Sequence, residues 1–235
     1  MSVPKVDESR QRNLYEAGRL VSFSDGVAAI AMTLLILPLS DVTLPPESQW
    51  PHRNVFAALW NGYHDLILSF LLSFFVIAIF WLFHHQLFDK IEYVDGTLIK
   101  INFLWLFAVV VLPFPTNLLS DNRNNTTVAF YIGTMCFIAA SATAMSFWLA
   151  KHPDLAKSEE RASITSPPSA AWTSTVYLAL VFIVAFFAGG LATWLLFGLF
   201  FVARFSDRFD DMRATEQKSG EPPTSDPPSE TPTSS

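Results

Sequence analysis

Three side chains stand where their chemistry is least expected: Asp25, His84 and His85. Asp25 interrupts the run 20–39, which is otherwise apolar apart from Ser22, Ser24 and Thr33. A carboxylate in lipid-like surroundings costs several kcal/mol unless it is paired or wetted, so it marks either a helix-joining contact or a site that handles ions or protons. Arg19, six residues earlier on a helix, lies about 9 Å away along the axis. His84 and His85 end a second apolar run. Adjacent histidines on a helix point about 100° apart, whereas two ligands of one metal stand at i and i+4. No metal and no cofactor is therefore expected, and no nucleophile stands in a recognisable motif, so the chain is read as not an enzyme. The single cysteine, Cys136, excludes a disulfide scaffold and is read as a small packing residue.

The elements that hold these groups follow from where charge is missing. Of the 235 residues, 51% are hydrophobic and 15% are charged, and the mean hydropathy is +0.34. A soluble domain carries about 25% charge. No Asp, Glu, Lys or Arg occurs in the runs 66–88, 101–120, 124–150 and 162–203. A spanning helix needs about 20 apolar residues. The first three runs read as one span each, the last as two joined at Gly189-Gly190, and 20–39 supplies another. The expected fold is an all-α, polytopic membrane protein with six transmembrane helices.

Basic residues test this count, because they collect in cytoplasmic segments. With both termini cytoplasmic and six spans, only Arg53 and Arg123 of the 15 Lys and Arg fall outside. Asp7, Glu8 and Glu16 before the first run argue against a signal peptide. The expected organisation is a cytoplasmic segment over 1–18, the membrane domain over 19–205, and a Pro-, Ser- and Thr-rich disordered cytoplasmic tail over 206–235. The expected location is the cell membrane, multi-pass. No basic stripe with interleaved aromatics supports nucleic-acid binding.

This topology brings Arg19, Ser24 and Asp25 of the first helix, His84 and His85 at the end of the second, and Asn102 in the third to one depth. Such a layer satisfies its own hydrogen bonds where water is scarce. Asp25 pairs there with Arg19, with His84 or with His85. On the opposite face of the first helix, Phe23, Ile30, Thr33, Leu34 and Leu37 fall within an arc of about 100°. Periodicity alone does not separate a pore lining from a lipid-facing stripe.

The run from Arg19 through Phe23-Ser24-Asp25 to Thr33-Leu34-Leu35 resembles the signature of the TMEM175 family of potassium channels. Trp81-Leu82-Phe83-His84-His85 is similar to that family's second helix, and Asn102 with Pro113-Phe114-Pro115 to its third. The resemblance covers roughly residues 15 to 120. It implies a homotetramer in the bilayer that passes potassium ions through a pore lined by the first helix, without a re-entrant selectivity filter. Carried over to this chain, it puts the constriction on Ile30, Thr33 and Leu37, with Leu34 joining the Leu37 ring. The alternative is a proton-coupled secondary transporter using Asp25 and His84 or His85. Against it, residues 126–205 hold no second copy of the first-helix pattern.

Overall fold

The computed structural model describes residues 14–51, 54–121, 124–164 and 169–187, together with Leu195. Helices α1 (Ala17–Leu34) and α2 (Leu37–Ser40) form the first span. Pro38 has no N–H to donate, so the helix breaks at Leu35–Ile36 and restarts with proline in its first turn. Helix α3 (Val55–Asp89) is the longest; Asn54 caps it by accepting from Phe56 N at 2.9 Å. Tyr63, at φ −137° and ψ 17°, bends it near its start. Its hydroxyl donates to Thr43 O at 2.6 Å, tying the bend to the loop that follows α2.

Helices α4 (Gly96–Val111) and α5 (Pro113–Asp121) make the third span, broken where Pro113 cannot donate to the preceding turn. Helix α6 (Asn125–Lys151) is the fourth, opened by a reciprocal capping box between Asn124 and Thr127. Short helix α7 (Arg161–Ile164) and helix α8 (Ser169–Phe187) follow.

The expectation of six spanning helices is corrected here. Among the described residues, four helices are long and apolar enough to cross a membrane: Ala17–Ser40, Val55–Asp89, Gly96–Asp121 and Asn125–Lys151. Absence of charge is a weaker criterion than apolarity. The uncharged run 162–203 opens with a stretch rich in Ser, Thr and Pro, including Pro167-Pro168, and only Thr175–Ala185 of its described part forms an apolar helix. The expected turn at Gly189-Gly190 and the expected tail lie outside the described residues, as do residues 1–13. The chain is thus an all-α, multi-pass membrane protein.

Helix α6 forms the centre of the bundle, packing on α8, α4, α5 and α3. Trp105 of α4, Ile77 of α3 and Tyr131 and Met135 of α6 are fully buried in the shared core. Gly133 lets α8 approach closely: a Cβ there would stand 2.8 Å from the Phe182 ring. In the first span 22% of the apolar window is buried, against 61% in α6, so α1 lies at the edge of this chain.

At the N-terminal end of α1 the backbone forms a small seam. Strand β1 (Tyr15–Glu16) pairs antiparallel with β2 (Tyr93–Val94) in the α3–α4 connection. On its other side that connection meets the segment after α6, through Glu92 N to Leu155 O and Lys157 N to Lys90 O, each 3.0 Å.

Candidate functional site

Two faces of α1 carry the candidate groups. The inward face repeats small side chains, Ala17, Ser24, Ala28 and Ala31, before Leu35. Small residues let helix backbones approach in a membrane, where apolar burial alone gives no preference for protein over lipid. This face packs on α3 and α4. The other face holds Phe23, Ile30, Thr33, Leu34 and Leu37, all exposed on the single chain. Ile30 is 61% exposed, Leu37 53% and Leu34 40%. Thr33 Oγ1 donates to Ile30 O at 2.7 Å, which leaves its oxygen lone pairs available on the exposed side.

Behind the small-residue face runs a buried hydrogen-bond chain. Ser24 Oγ donates to Leu20 O at 2.9 Å. With its proton used, Ser24 accepts from Asn102 Nδ2 at 2.9 Å. The amide oxygen of Asn102 then faces His84 Nε2 at 2.7 Å. An amide oxygen only accepts, so His84 carries its proton on Nε2. Each link has one direction, and three helices are joined by it. His84 lies between two aromatic rings: Phe88, 4.4 Å between centroids, and Trp105, 4.2 Å, both within 21° of parallel.

Asp25 stands beside this chain and outside it. Trp81 Nε1 donates to Asp25 Oδ1 at 2.8 Å, and His85 Nδ1 lies 3.9 Å from the same oxygen. Trp81 and His85 stack at 5.3 Å, one turn apart on α3. Of the open pairings, the structure brings His85 to Asp25 and sends His84 to Asn102. Arg19 is exposed and makes no ion pair with Asp25. Ser24, Asp25, His84, His85 and Asn102 thus come together around α1, α3 and α4. Among the described residues no group of three His, Cys, Asp or Glu is placed to hold a metal.

Sequence reasoning left three participants without a role. Trp81 precedes His85 by four residues, and Trp105 follows Asn102 by three, so each shares a helix face with a residue already singled out. The third is a hydroxyl cluster in the other half of the bundle: Ser73 Oγ lies 2.8 Å from Thr116 Oγ1 and 3.1 Å from the Tyr131 hydroxyl. Thr116 Oγ1 also donates to Leu112 O at 2.8 Å, one turn back across the Pro113 break. Three scattered hydroxyls leave no spacing signal in sequence.

Known proteins are similar to this chain in sequence and in fold. The family model described as "Endosomal/lysosomal potassium channel TMEM175" matches residues 19–113. A protein of Streptomyces collinus named as a potassium channel is 35% identical over 136 residues, covering 56% of this chain and 61% of that one. A potassium channel of Chamaesiphon minutus is 37% identical over 109 residues, covering 45% of this chain and 50% of that one. Human TMEM175, named as an endosomal/lysosomal proton channel, is 28% identical over 48% of this chain and 21% of its own length. The chain therefore spans less than two thirds of each of these relatives. A crystal structure of a lysosomal potassium-selective TMEM175 homologue from Chamaesiphon minutus superposes with a TM-score of 0.65 at 27% identity, covering 81% of this chain and 97% of that one. The stretch that matches the TMEM175 family model, residues 19–113, takes in α3, α4, nearly all of α1 and every member of the Ser24–Asn102–His84 chain.

Proposed function

We propose that this protein conducts potassium ions across a membrane, as a homotetramer whose pore is lined by α1 from each copy. The reading is one of transport and not of catalysis. The observation that carries it is the uncovered Ile30–Leu37 face on the helix that opens the family match. Four such faces turned to a common axis make a dry neck, with Ile30 as one ring and Leu34 and Leu37 as another. A cation crosses it by shedding water, which potassium does at lower cost than sodium, and a narrow apolar neck also closes by dewetting. Thr33 replaces part of the lost water with its hydroxyl oxygen. Ser24, Asn102 and His84 hold α1 at the depth that keeps the rings in register, and Asp25 with Trp81 and His85 fixes its rotation. Residues 1–18 and 206–235 lie on the cytoplasmic side, where the basic residues collect.

The test is potassium and sodium flux, measured separately in liposomes that carry the purified full chain. Potassium flux above that of empty liposomes, with a smaller sodium flux, supports the reading. Ile30→Asn is expected to wet the neck and raise sodium flux relative to potassium by about tenfold, the equivalent of about 1.4 kcal/mol in barrier. An unchanged ratio removes Ile30 from the constriction. Because some relatives are named as proton channels, the same liposomes with an internal pH dye show whether protons share this path.

A further inference from the structure

We propose that the backbone seam at the base of α1 is a gating tether, linking the position of the pore helix to the segment that follows α6. This rests on the channel reading and adds a moving part to it.

The seam joins three stretches distant in sequence: 15–17, 90–94 and 155–157. The middle stretch bonds on both edges. Tyr15 and Glu16 stand opposite Val94 and Tyr93, and Ala17 N donates to Glu92 O at 3.1 Å. On the far edge Ile91 bridges Ala156, Glu92 N donates to Leu155 O and Lys157 N to Lys90 O. Glu92 thus takes a bond from the first residue of α1 through its carbonyl, and gives one to the post-α6 segment through its amide. One peptide neighbourhood connects the two.

Side chains reinforce it. Lys157 Nζ lies 3.7 Å from Asp89 Oδ1, and Ile91, Val94, Leu155 and Ala156 are buried beneath the strands. Asp95, immediately after β2, caps α4 through Leu98 N and accepts from the indole of Trp148 at the end of α6. The α3–α4 connection is therefore fixed to α6 by side chains as well as backbone. Strand β1 has only two residues and no interstrand disulfide, and its Tyr15 side chain is exposed. Along this path the joint between β1 and β2 is the less covered, with Tyr15 and Tyr93 exposed where Ile91, Leu155 and Ala156 are buried, so it is where α1 comes free of the α3–α4 connection.

A reversible covalent clamp tests this. Opposed residues of an antiparallel pair have Cα atoms about 5 Å apart, within the range a disulfide bridges. Tyr15→Cys with Val94→Cys, in a Cys136→Ser background, places one clamp on the α1 joint. Ile91→Cys with Ala156→Cys places a control clamp on the far edge, which the proposal treats as static. Disulfide formation is followed by mass spectrometry, and flux by the liposome assay. Oxidising the Tyr15/Val94 pair is expected to lower potassium flux about fivefold or more against the same protein reduced, the lower range of ordinary coupling energies. The potassium-to-sodium ratio stays constant, and the control clamp changes flux less than twofold by the same measure. A fully oxidised Tyr15/Val94 protein conducting as well as its reduced form overturns the tether, as does an equal loss from the control clamp. The unmodified chain, measured alongside, tests the channel reading by its own potassium flux, so the two claims fail separately.

Discussion

Asn102 is the residue on which the buried polar chain depends. It is the only member that both accepts from His84 and donates to Ser24, so its loss orphans the His84 N–H while Ser24 keeps its bond to Leu20 O. Hydrogen bonds between membrane helices average about 0.6 kcal/mol, whereas a buried donor left unpaired costs about 1–3 kcal/mol. Asn102→Leu leaves the His84 N–H unpaired and Ser24→Ala leaves the buried Asn102 amide N–H unpaired, so each is expected to destabilise the protein by about 1–3 kcal/mol. Thermal unfolding in detergent, followed by tryptophan fluorescence, gives both losses; an unaffected Asn102→Leu would mean that His84 has found another acceptor. How much of this was legible depends on residue type. Ser24, His84, His85 and Asn102 announce themselves as polar groups in apolar runs, and topology alone levels them. Which histidine meets Asp25 depends on the roll of α3 about its axis, and a 100° step between neighbours is too coarse for that reading. Trp81 was hidden by its own type, since tryptophan in an apolar run reads as core and its single N–H goes unremarked.

Helix ends and breaks were more readable than helix number. Asn54, Asp95 and Asn124 sit where capping residues belong, and Pro38 and Pro113 sit where helices break. Asp95 does more than cap, because its carboxylate also receives Trp148 Nε1 at 3.2 Å. Asp95→Ala is accordingly expected to cost more than Asn54→Ala, whose cap is exposed: about 2 kcal/mol against about 1. Chemical denaturation of the two variants in one detergent gives the comparison. The helix count differs among the described residues for a physical reason: an uncharged run that opens with Ser, Thr and Pro is not apolar along its whole length, and the apolar helix described within it, Thr175–Ala185, is too short to cross a bilayer. The contact between α6 and α8 was invisible too, since Gly133 reads as a weak helix former until Phe182 is seen against it. Gly133→Leu is expected to force the ring aside and cost about 1–3 kcal/mol. Partial recovery in Gly133→Leu with Phe182→Ala would place the loss at this contact, and no recovery would place it in the backbone of α6.

At the level of the whole molecule the decisive asymmetry is between the centre and the edge of the bundle. Helix α6 is the most buried of the four spans, at 61% of its apolar window, while α1, where the family match begins, keeps one face bare from Phe23 to Leu37. A lipid-facing stripe and a pore lining look alike on one chain, and nothing in periodicity distinguishes them; assembly does. If copies of α1 surround a shared axis, equivalent residues on the bare face approach one another across it, while residues on the lipid perimeter never do. Ile30→Cys, in a Cys136→Ser background, is expected to form disulfide-linked pairs under mild oxidation in membranes. Phe75→Cys, on an exposed face of α3, is expected to remain monomeric on the same gel. Native mass spectrometry of the unmodified protein would then give four chains per particle. Pairing through Phe75 and not through Ile30 would turn the bare face of α1 toward lipid and move the ion path to another part of the bundle. The contrast between the two cysteines is informative because both start from side chains equally apolar and similarly exposed, 61% and 58%, on the isolated chain. Only the arrangement of copies separates them.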